Sequence, residues 1–351
     1  MESITQVYQK EEHERQTVAQ LKVLVACGTA CDELLDQIDN MEVKSEHFHL
    51  PKTLSGGHEN FSFKNLKPAL DYAEEYGHDL VIAVDFNQNK LCVSARKSQG
   101  GDLGVLNPHQ LAALFSDIIT KTHQNIICYK SLFISDLVEE IFLKAGRPCR
   151  SILLPDGAST EDNSLPGEEE TFVISENQQF RLPHQKNSSI YLIGRLLLLS
   201  AKLKSHQETL FDQLIGLFRQ HGYYNERVFV VEMKLESQRN HFANIMKLLR
   251  KKTPERFGDV LINEVTDYES GVKKNRISAR QNRVNGPVAD ILKVSLANGL
   301  TIKMGPREEK MYYFVTVEGP LLAKEEYSRT SKAFDDRIAK FMGNVNKITF
   351  E

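Results

Sequence analysis

Short apolar runs alternate with amphipathic segments through the first part of the chain. Residues 21–26, LKVLVA, read as a strand that ends at Gly28. Residues 29–40 read as a helix, 42–50 as a short strand and 51–57 as a loop. Residues 66–76 carry the apolar spacing of an amphipathic helix, and Gly77 is a suitable left-handed stop. Residues 79–84 then form another apolar strand. Strand, helix, strand, helix, strand predicts a parallel α/β layer. Ahead of it, Ile4, Val7 and Tyr8 have helical spacing, so residues 1–20 predict a lead-in helix.

The rhythm continues. Asn107 and Pro108 suit the N-cap and first position of a helix over 107–122. Residues 125–128 predict a strand, 135–146 a helix stopped by glycine, and 151–154 a strand. Residues 156–170, DGASTEDNSLPGEEE, are acidic and rich in breakers, so they predict a loop or linker. Two strongly apolar helices follow over 190–204 and 207–221. Residues 228–234 alternate like a strand and 238–249 like a helix. Four further strands are expected over 261–267, 291–295, 300–303 and 311–318. A helix over 330–341 places Phe334, Ile338 and Phe341 on one face. The expected architecture is therefore two α/β layered domains followed by an α+β domain with an antiparallel sheet. The divisions fall at 1–20, 21–98, 99–220 and 221–351.

Composition narrows this picture. The chain has 351 residues, 41% hydrophobic and 26% charged, with a formal net charge of −3. A near-neutral balance gives no global electrostatic case for nucleic acid. The most apolar stretch, near 190–199, carries Arg195 and is too short to span a bilayer. The polar N-terminus is unlike a signal peptide. Cys27, Cys31, Cys92, Cys128 and Cys149 lack CxxC spacing and lie mostly in apolar runs, which favours reduced core thiols in a cytoplasmic protein.

Residues 81–93, VIAVDFNQNKLCV, carry the sharpest chemical signal. One apolar run delivers Asp85 into a short polar loop and a second leaves it, which is how α/β proteins present oxygen ligands to a hard cation. Here Asn87, Asn89 and Lys90 stand where further carboxylates would be wanted. Strand-end asparagines also satisfy turns without any ion. His47 and His49 share one face of a predicted strand, but no third ligand is evident nearby and they read as exposed strand histidines. Residues 273–283, KKNRISARQNR, gather Lys273, Lys274, Arg276, Arg280 and Arg283, but without interleaved aromatics they read as a solvated loop.

Several stretches together resemble the α-D-phosphohexomutases, which include phosphoglucomutase and phosphomannomutase. They are LKPALDYAEEYGHDLVIAVD at 66–85, VLNPHQLAALFSDII at 105–119, HQETLFDQLIGLFRQHGYYNERV at 206–228, VTDYESGV at 265–272, and NGLTIK followed by YYFVTVEG. The resemblance runs from about residue 4 to the end. It implies the last three of four family domains, with the serine-bearing first domain expected to be missing, and no serine here lies in a Thr-Ala-Ser-His setting.

The resemblance also implies where the functional loops should be. The family metal loop, Asp-Pro-Asp-Gly/Ala-Asp-Arg, maps onto Asp85, Asn87, Asn89 and Lys90. One carboxylate of three remains, and Mg²⁺ favours anionic oxygens. No cofactor is expected, and weak Mg²⁺ binding is the most this loop offers. The sugar loop, Gly-Phe-Glu-Glu-Ser, maps onto 173–177 and leaves Glu176 and Asn177. A Thr-Gly-Phe-Lys loop maps near 153–157 without its lysine, although Lys130 and Ser131 persist on a neighbouring strand. The phosphate loop, Arg-Pro-Ser-Gly-Thr-Glu-Pro, maps onto 303–310. There Lys303, Arg307 and Lys310 could hold an anion, Glu308 and Glu309 oppose them, and Pro306 removes a backbone donor. A plain turn between two strands is the alternative.

No catalytic residue is therefore identified. The expected function is a catalytically inactive phosphohexomutase-like protein, a binding or regulatory module in sugar-phosphate metabolism. Its expected partner is an active phosphohexomutase or another protein, with a hexose phosphate as possible ligand, and neither nucleic acid nor membrane. The alternatives are an isomerase completed by a separate serine-bearing domain and a sugar-phosphate sensor.

Overall fold

The computed structural model describes residues 18–28, 31–55, 60–85, 90–153, 170–185, 187–257, 259–284, 286–307 and 309–350. These fall into two compact units. One comprises 1–150 and 154–217, the other 151–153 and 218–351. The expected lead-in helix lies almost wholly outside the described residues, as do Asn87, Asn89 and the acidic segment after Leu153.

The first unit begins as the apolar pattern predicts. Strand β1 (Lys22–Cys27), helix α1 (Asp32–Asn40), strand β2 (Lys44–His49), the short helix α2 (Lys52–Ser55), helix α3 (Phe63–Glu75) and strand β3 (Leu80–Asp85) follow in order. Both β2 and β3 pair parallel with β1. Strands β4 (Lys90–Arg96) and β5 (Leu103–Val105) then add antiparallel edges, giving the order β2-β1-β3-β4-β5. Every residue of β3 is buried, as befits a strand covered on both faces. Leu24 and Ala26 of β1 and Val81 and Ala83 of β3 form one core with Leu66, Ala69, Leu70 and Ala73 of α3. Helix α3 starts three residues ahead of the expected 66, because Ser62 caps it by accepting from the Asn65 N–H, and it accommodates Pro68 in its interior. Gly77 ends the turn with φ at 69°, as expected.

A second sheet has the order β7-β6-β8-β9, from β6 (Ile127–Ser131), β7 (Cys149–Ile152), β8 (Thr171–Ile174) and β9 (Phe180–Arg181). Helix α4 (Pro108–Thr122) opens with a reciprocal Asn107–Gln110 capping box. It packs on α5 (Leu137–Lys144) and α6 (Ser188–Ser205). Helix α7 spans Leu210–His221.

The second unit is built on an antiparallel sheet ordered β10-β17-β16-β15-β12-β13-β14, with β11 paired to β12. Its strands are β10 (Tyr223–Glu232), β11 (Arg256–Phe257), β12 (Val260–Asp267), β13 (Val272–Asn275), β14 (Gln281–Arg283), β15 (Leu292–Leu296), β16 (Leu300–Arg307) and β17 (Lys310–Gly319), with helices α8 (Glu236–Lys251) and α9 (Tyr327–Phe350). Helix α9 packs on β10 and β17. Strand β10 starts five residues before the expected 228 because its polar first half is held from both sides. It pairs with β17, and Asn225 donates to the Ser331 carbonyl and Asp335.

Two expectations are corrected. The basic segment 273–283 is a β-hairpin, not a loop: β13 and β14 pair antiparallel, and Lys273 meets Glu264 at 2.8 Å. Their exposed polar side chains hide the strand from any search for apolar alternation. The cysteines are not all reduced either. Cys27, at the end of β1, and Cys31, just before α1, are joined as a disulfide, because the strand-to-helix turn brings their Cα atoms to 6.4 Å. Among the described residues, no helix is long and apolar enough to cross a membrane.

Candidate functional site

Asp85 closes β3 and Lys90 opens β4, and the two are direct ladder partners. Asp85 is 2% exposed and Lys90 6%. Burial pulls the Lys90 pKa below its usual value, and the Asp85 carboxylate offsets part of that pull. One negative and one positive charge thus share this strand end, with no net charge between them.

The β8–β9 turn meets the same strand end. Its residues 175–179 fold back on themselves: the Ser175 N–H donates to the Gln179 carbonyl at 3.0 Å, and the Asn177 N–H donates to Ser175 Oγ at 3.0 Å. Gln179 bridges antiparallel to Lys90, and the Leu91 N–H donates to the Gln178 carbonyl at 2.8 Å. Gln178 is held at φ 64° with its side chain turned inward, only 4% exposed. There its amide reads the whole peptide polarity of Phe61. The Phe61 N–H donates to Gln178 Oε1 at 2.8 Å, and Gln178 Nε2 donates to the Phe61 carbonyl at 2.7 Å, across 117 positions of sequence. Glu176 and Asn177, both half-buried, ride on this clasped turn beside the Asp85–Lys90 strand end.

Lys130 and Ser131 lie at the end of β6. Lys130 is 0% exposed, and its ammonium donates to Asp136 at 3.0 Å and to the Ile134 carbonyl at 3.4 Å. The persistent lysine is therefore bound into its own sheet end.

In the second unit, Lys303, Arg307 and Lys310 lie on the β16–β17 hairpin. Lys303 is opposite Phe314, 2% exposed, with its Nζ 5.2 Å from that ring centroid. Arg307 faces Lys310 across the ladder, and its guanidinium lies 5.7 Å from the Tyr312 ring centroid. Lys310 pairs with Glu232 at 3.8 Å, and Arg239 with Glu309 at 3.4 Å. The three cations share one face of the sheet with two aromatic rings, and a neighbouring acid neutralises the last of them.

Gln178 was not a candidate on sequence grounds. It lies in a polar run, SENQQ, where no periodicity distinguishes a clasp from a solvated turn. Only its non-glycine positive φ marks it, and that is a property of the structure.

No protein-family model matches the chain. Two phosphoglucomutases from strains of Staphylococcus epidermidis are 20% identical to it over 266 residues, covering 72% of this chain and 48% of theirs. The chain thus spans about half the length of these curated relatives. Pp63/parafusin from Paramecium, a phosphoglucomutase seen in its open form, superposes with a TM-score of 0.63 at 11% identity, covering 99% of this chain and 62% of that one. A phosphoglucomutase/phosphomannomutase family protein from Burkholderia thailandensis gives 0.55 at 12%, covering 94% and 63%. The fold is that of the phosphohexomutases. In fold and, weakly, in sequence the chain is therefore similar to the α-D-phosphohexomutases.

The Mg²⁺ that this family implies does not fit the residues described. At the strand end, Asp85 faces a lysine whose charge already balances it. Among the described residues, the group of three or more acidic, histidine or cysteine side chains close enough to share an ion does not include Asp85.

Proposed function

We propose that this chain is a phosphohexomutase-like protein without mutase activity, serving as a binding or regulatory module in sugar-phosphate metabolism. The observation that carries this reading is the charge balance at the β3–β4 strand end. A phosphoryl-transfer site stabilises developing negative charge with metal ions and cations. The Asp85–Lys90 pair supplies no surplus carboxylate to recruit the metal. The reading places the protein in the cytoplasm, with an active phosphohexomutase or another protein as its partner. The test is turnover of glucose 1-phosphate and mannose 1-phosphate with Mg²⁺ and a bisphosphate activator. The expected result is none above a heat-killed control, and reproducible turnover by the chain alone would defeat the proposal.

A second reading, a hexose-phosphate sensor, draws on Glu176 and Asn177. Both ride on a turn held rigidly at the strand end, where a carboxylate and an amide can accept hydrogen bonds from sugar hydroxyls. Thermal-shift titration with hexose phosphates separates the two readings, because a pure protein-binding module would show no shift at millimolar ligand. The remaining alternative, an isomerase completed by a separate serine-bearing domain, requires turnover to appear when such a domain is added.

A further inference from the structure

Away from that strand end, the open edge of the first sheet assembles sulfur and nitrogen ligands from three elements. Cys27 ends β1, Cys31 immediately precedes α1, and His47 comes from β2, where it pairs with Val25 of β1. The two sulfur atoms and one imidazole nitrogen all lie within 4.8 Å of one another. Both cysteines are 1% exposed, whereas His47 faces solvent. Cys31 Sγ is 3.6 Å from His47 Nε2. A tetrahedral zinc ion with Zn–S of about 2.3 Å and Zn–N of about 2.05 Å separates its sulfur and nitrogen ligands by about 3.6 Å. The cysteine–histidine edge of such a site is therefore already in place.

We propose that the reduced form of this chain binds one zinc ion through Cys27, Cys31 and His47, with the fourth position open to solvent on the His47 side. The disulfide seen in the structure is the metal-free, oxidised counterpart of the same site. The two forms exclude each other, because the sulfur electron pairs that bind zinc belong to thiolates that oxidation consumes. Interconversion balances. Two molecules of a low-molecular-weight thiol reduce the disulfide to two thiols and leave as their own disulfide. Zn²⁺ then displaces one proton from each cysteine.

Local electrostatics suit a cation bound at this turn. Cys31 stands at the N-cap of α1, where the helix dipole stabilises a thiolate. Asp32 and Glu33 in the first turn add negative charge that attracts a cation. Three protein ligands with an open fourth position is the pattern of reactive rather than purely structural zinc. His49 shares the face of His47, with ring centroids 6.3 Å apart, and lies outside the three-residue cluster.

The test uses the full chain, reduced with a phosphine, stripped of metal and titrated with Co²⁺ alone as spectroscopic probe. One equivalent is expected to give thiolate-to-cobalt charge transfer and intense tetrahedral ligand-field bands, which Zn²⁺ then abolishes. H47A, a change at an exposed side chain, is expected to weaken Co²⁺ binding by more than the roughly 10–100-fold that loss of an outer-shell partner costs. C31S is expected to remove most of the charge transfer, C149S to leave it unchanged, and prior oxidation with diamide to abolish binding. A reduced wild-type protein lacking the charge-transfer band would overturn the proposal. So would a band that survives in H47A and C31S at wild-type affinity.

Discussion

Replacing Gln178 tests whether the candidate site is organised by its clasp. In Gln178→Ala the Phe61 N–H and C=O lose both partners while remaining buried. Each unsatisfied buried group costs about 1–3 kcal/mol, so Q178A should destabilise the first unit by about 2–4 kcal/mol, discounted for any water that enters. Gln178→Glu sharpens the test. An ionised carboxylate still accepts from the Phe61 N–H, but it sets a negative oxygen against the Phe61 carbonyl. Protonated, it regains a donor for that carbonyl. Burial raises the new carboxyl's pKa above its unfolded value of about 4.3. The penalty is therefore present at pH 7 and fades as pH falls through the folded-state pKa. Urea titration followed by circular dichroism between pH 7 and 5 measures both variants. A Q178A cost below 1 kcal/mol, or a Q178E deficit that grows on acidification, would refute the clasp.

Four further outcomes follow from named contacts. For Lys130, burial is the largest single influence and disfavours the ammonium. The Asp136 carboxylate, by its charge and by the hydrogen bond it accepts, leads the influences that outweigh burial, so the pKa is raised. The stability this pair contributes is thus present below the unfolded lysine value of about 10.4 and lost as pH rises through the folded value. D136A should cost about 3–5 kcal/mol at pH 7 by stranding the buried ammonium, and K130M/D136A less, in urea titrations. Arg250 meets Asp267 at 3.1 Å and Glu269 at 3.0 Å, and also pairs with Asp290. Burial pushes the Asp267 carboxyl up, but hydrogen bonds from Ser270 and Arg250 outweigh it and hold the pKa below the usual range. R250M should therefore lose about 1.5–3 kcal/mol at pH 7, a deficit that shrinks below about pH 4 in calorimetry. Gly305→Ala would place its Cβ 2.8 Å from the Ile291 side chain and against the Asp290 carbonyl, at a cost of about 1–3 kcal/mol by thermal melt. N87D/N89D should create Mn²⁺ binding detectable by electron paramagnetic resonance. Two carboxylates about 4 Å from a divalent ion contribute about 4 kcal/mol even at the dielectric of water, roughly a thousandfold, and equal binding by the parent chain would count against the charge argument.

Where side-chain period or local chemistry encodes an element, the sequence was readable. The buried run of β3, the Asn107 cap of α4 and the glycine stop at Gly77 all stand where apolar spacing and turn chemistry put them. The elements that escaped have non-local causes. β13 and β14 are polar apart from Val272 and exist because backbone groups find partners, and the first half of β10 is held by α9 through Asn225. The same division runs through the site. Asp85 and Lys90 were legible as a strand–loop–strand signature. The closure of the β8–β9 turn onto them was not, because Gln178 reaches Phe61 across 117 positions. Nor was Cys27–Cys31–His47, which needs the parallel pairing of β1 with β2 to bring the histidine to the sulfurs.

The two organising devices at the candidate site differ in kind from what a metal loop requires. A loop of three carboxylates and one arginine carries a net charge of about −2, and its self-repulsion is relieved only when the ion binds. The Asp85–Lys90 strand end has no such debt, because its single carboxylate is matched in the ladder. Its neighbouring turn is fixed by a neutral amide and main-chain bonds, interactions insensitive to salt and to divalent ions. The described contacts at this strand end therefore rest on a balanced charge pair and neutral hydrogen bonds, with no surplus charge left for an ion. A catalytic site that clamps substrate through a metal is built the other way round, with charge held in reserve for the ion. Under the reading proposed above, substitutions that remove that reserve while leaving these hydrogen bonds in place keep the scaffold and give up its capacity for phosphoryl transfer.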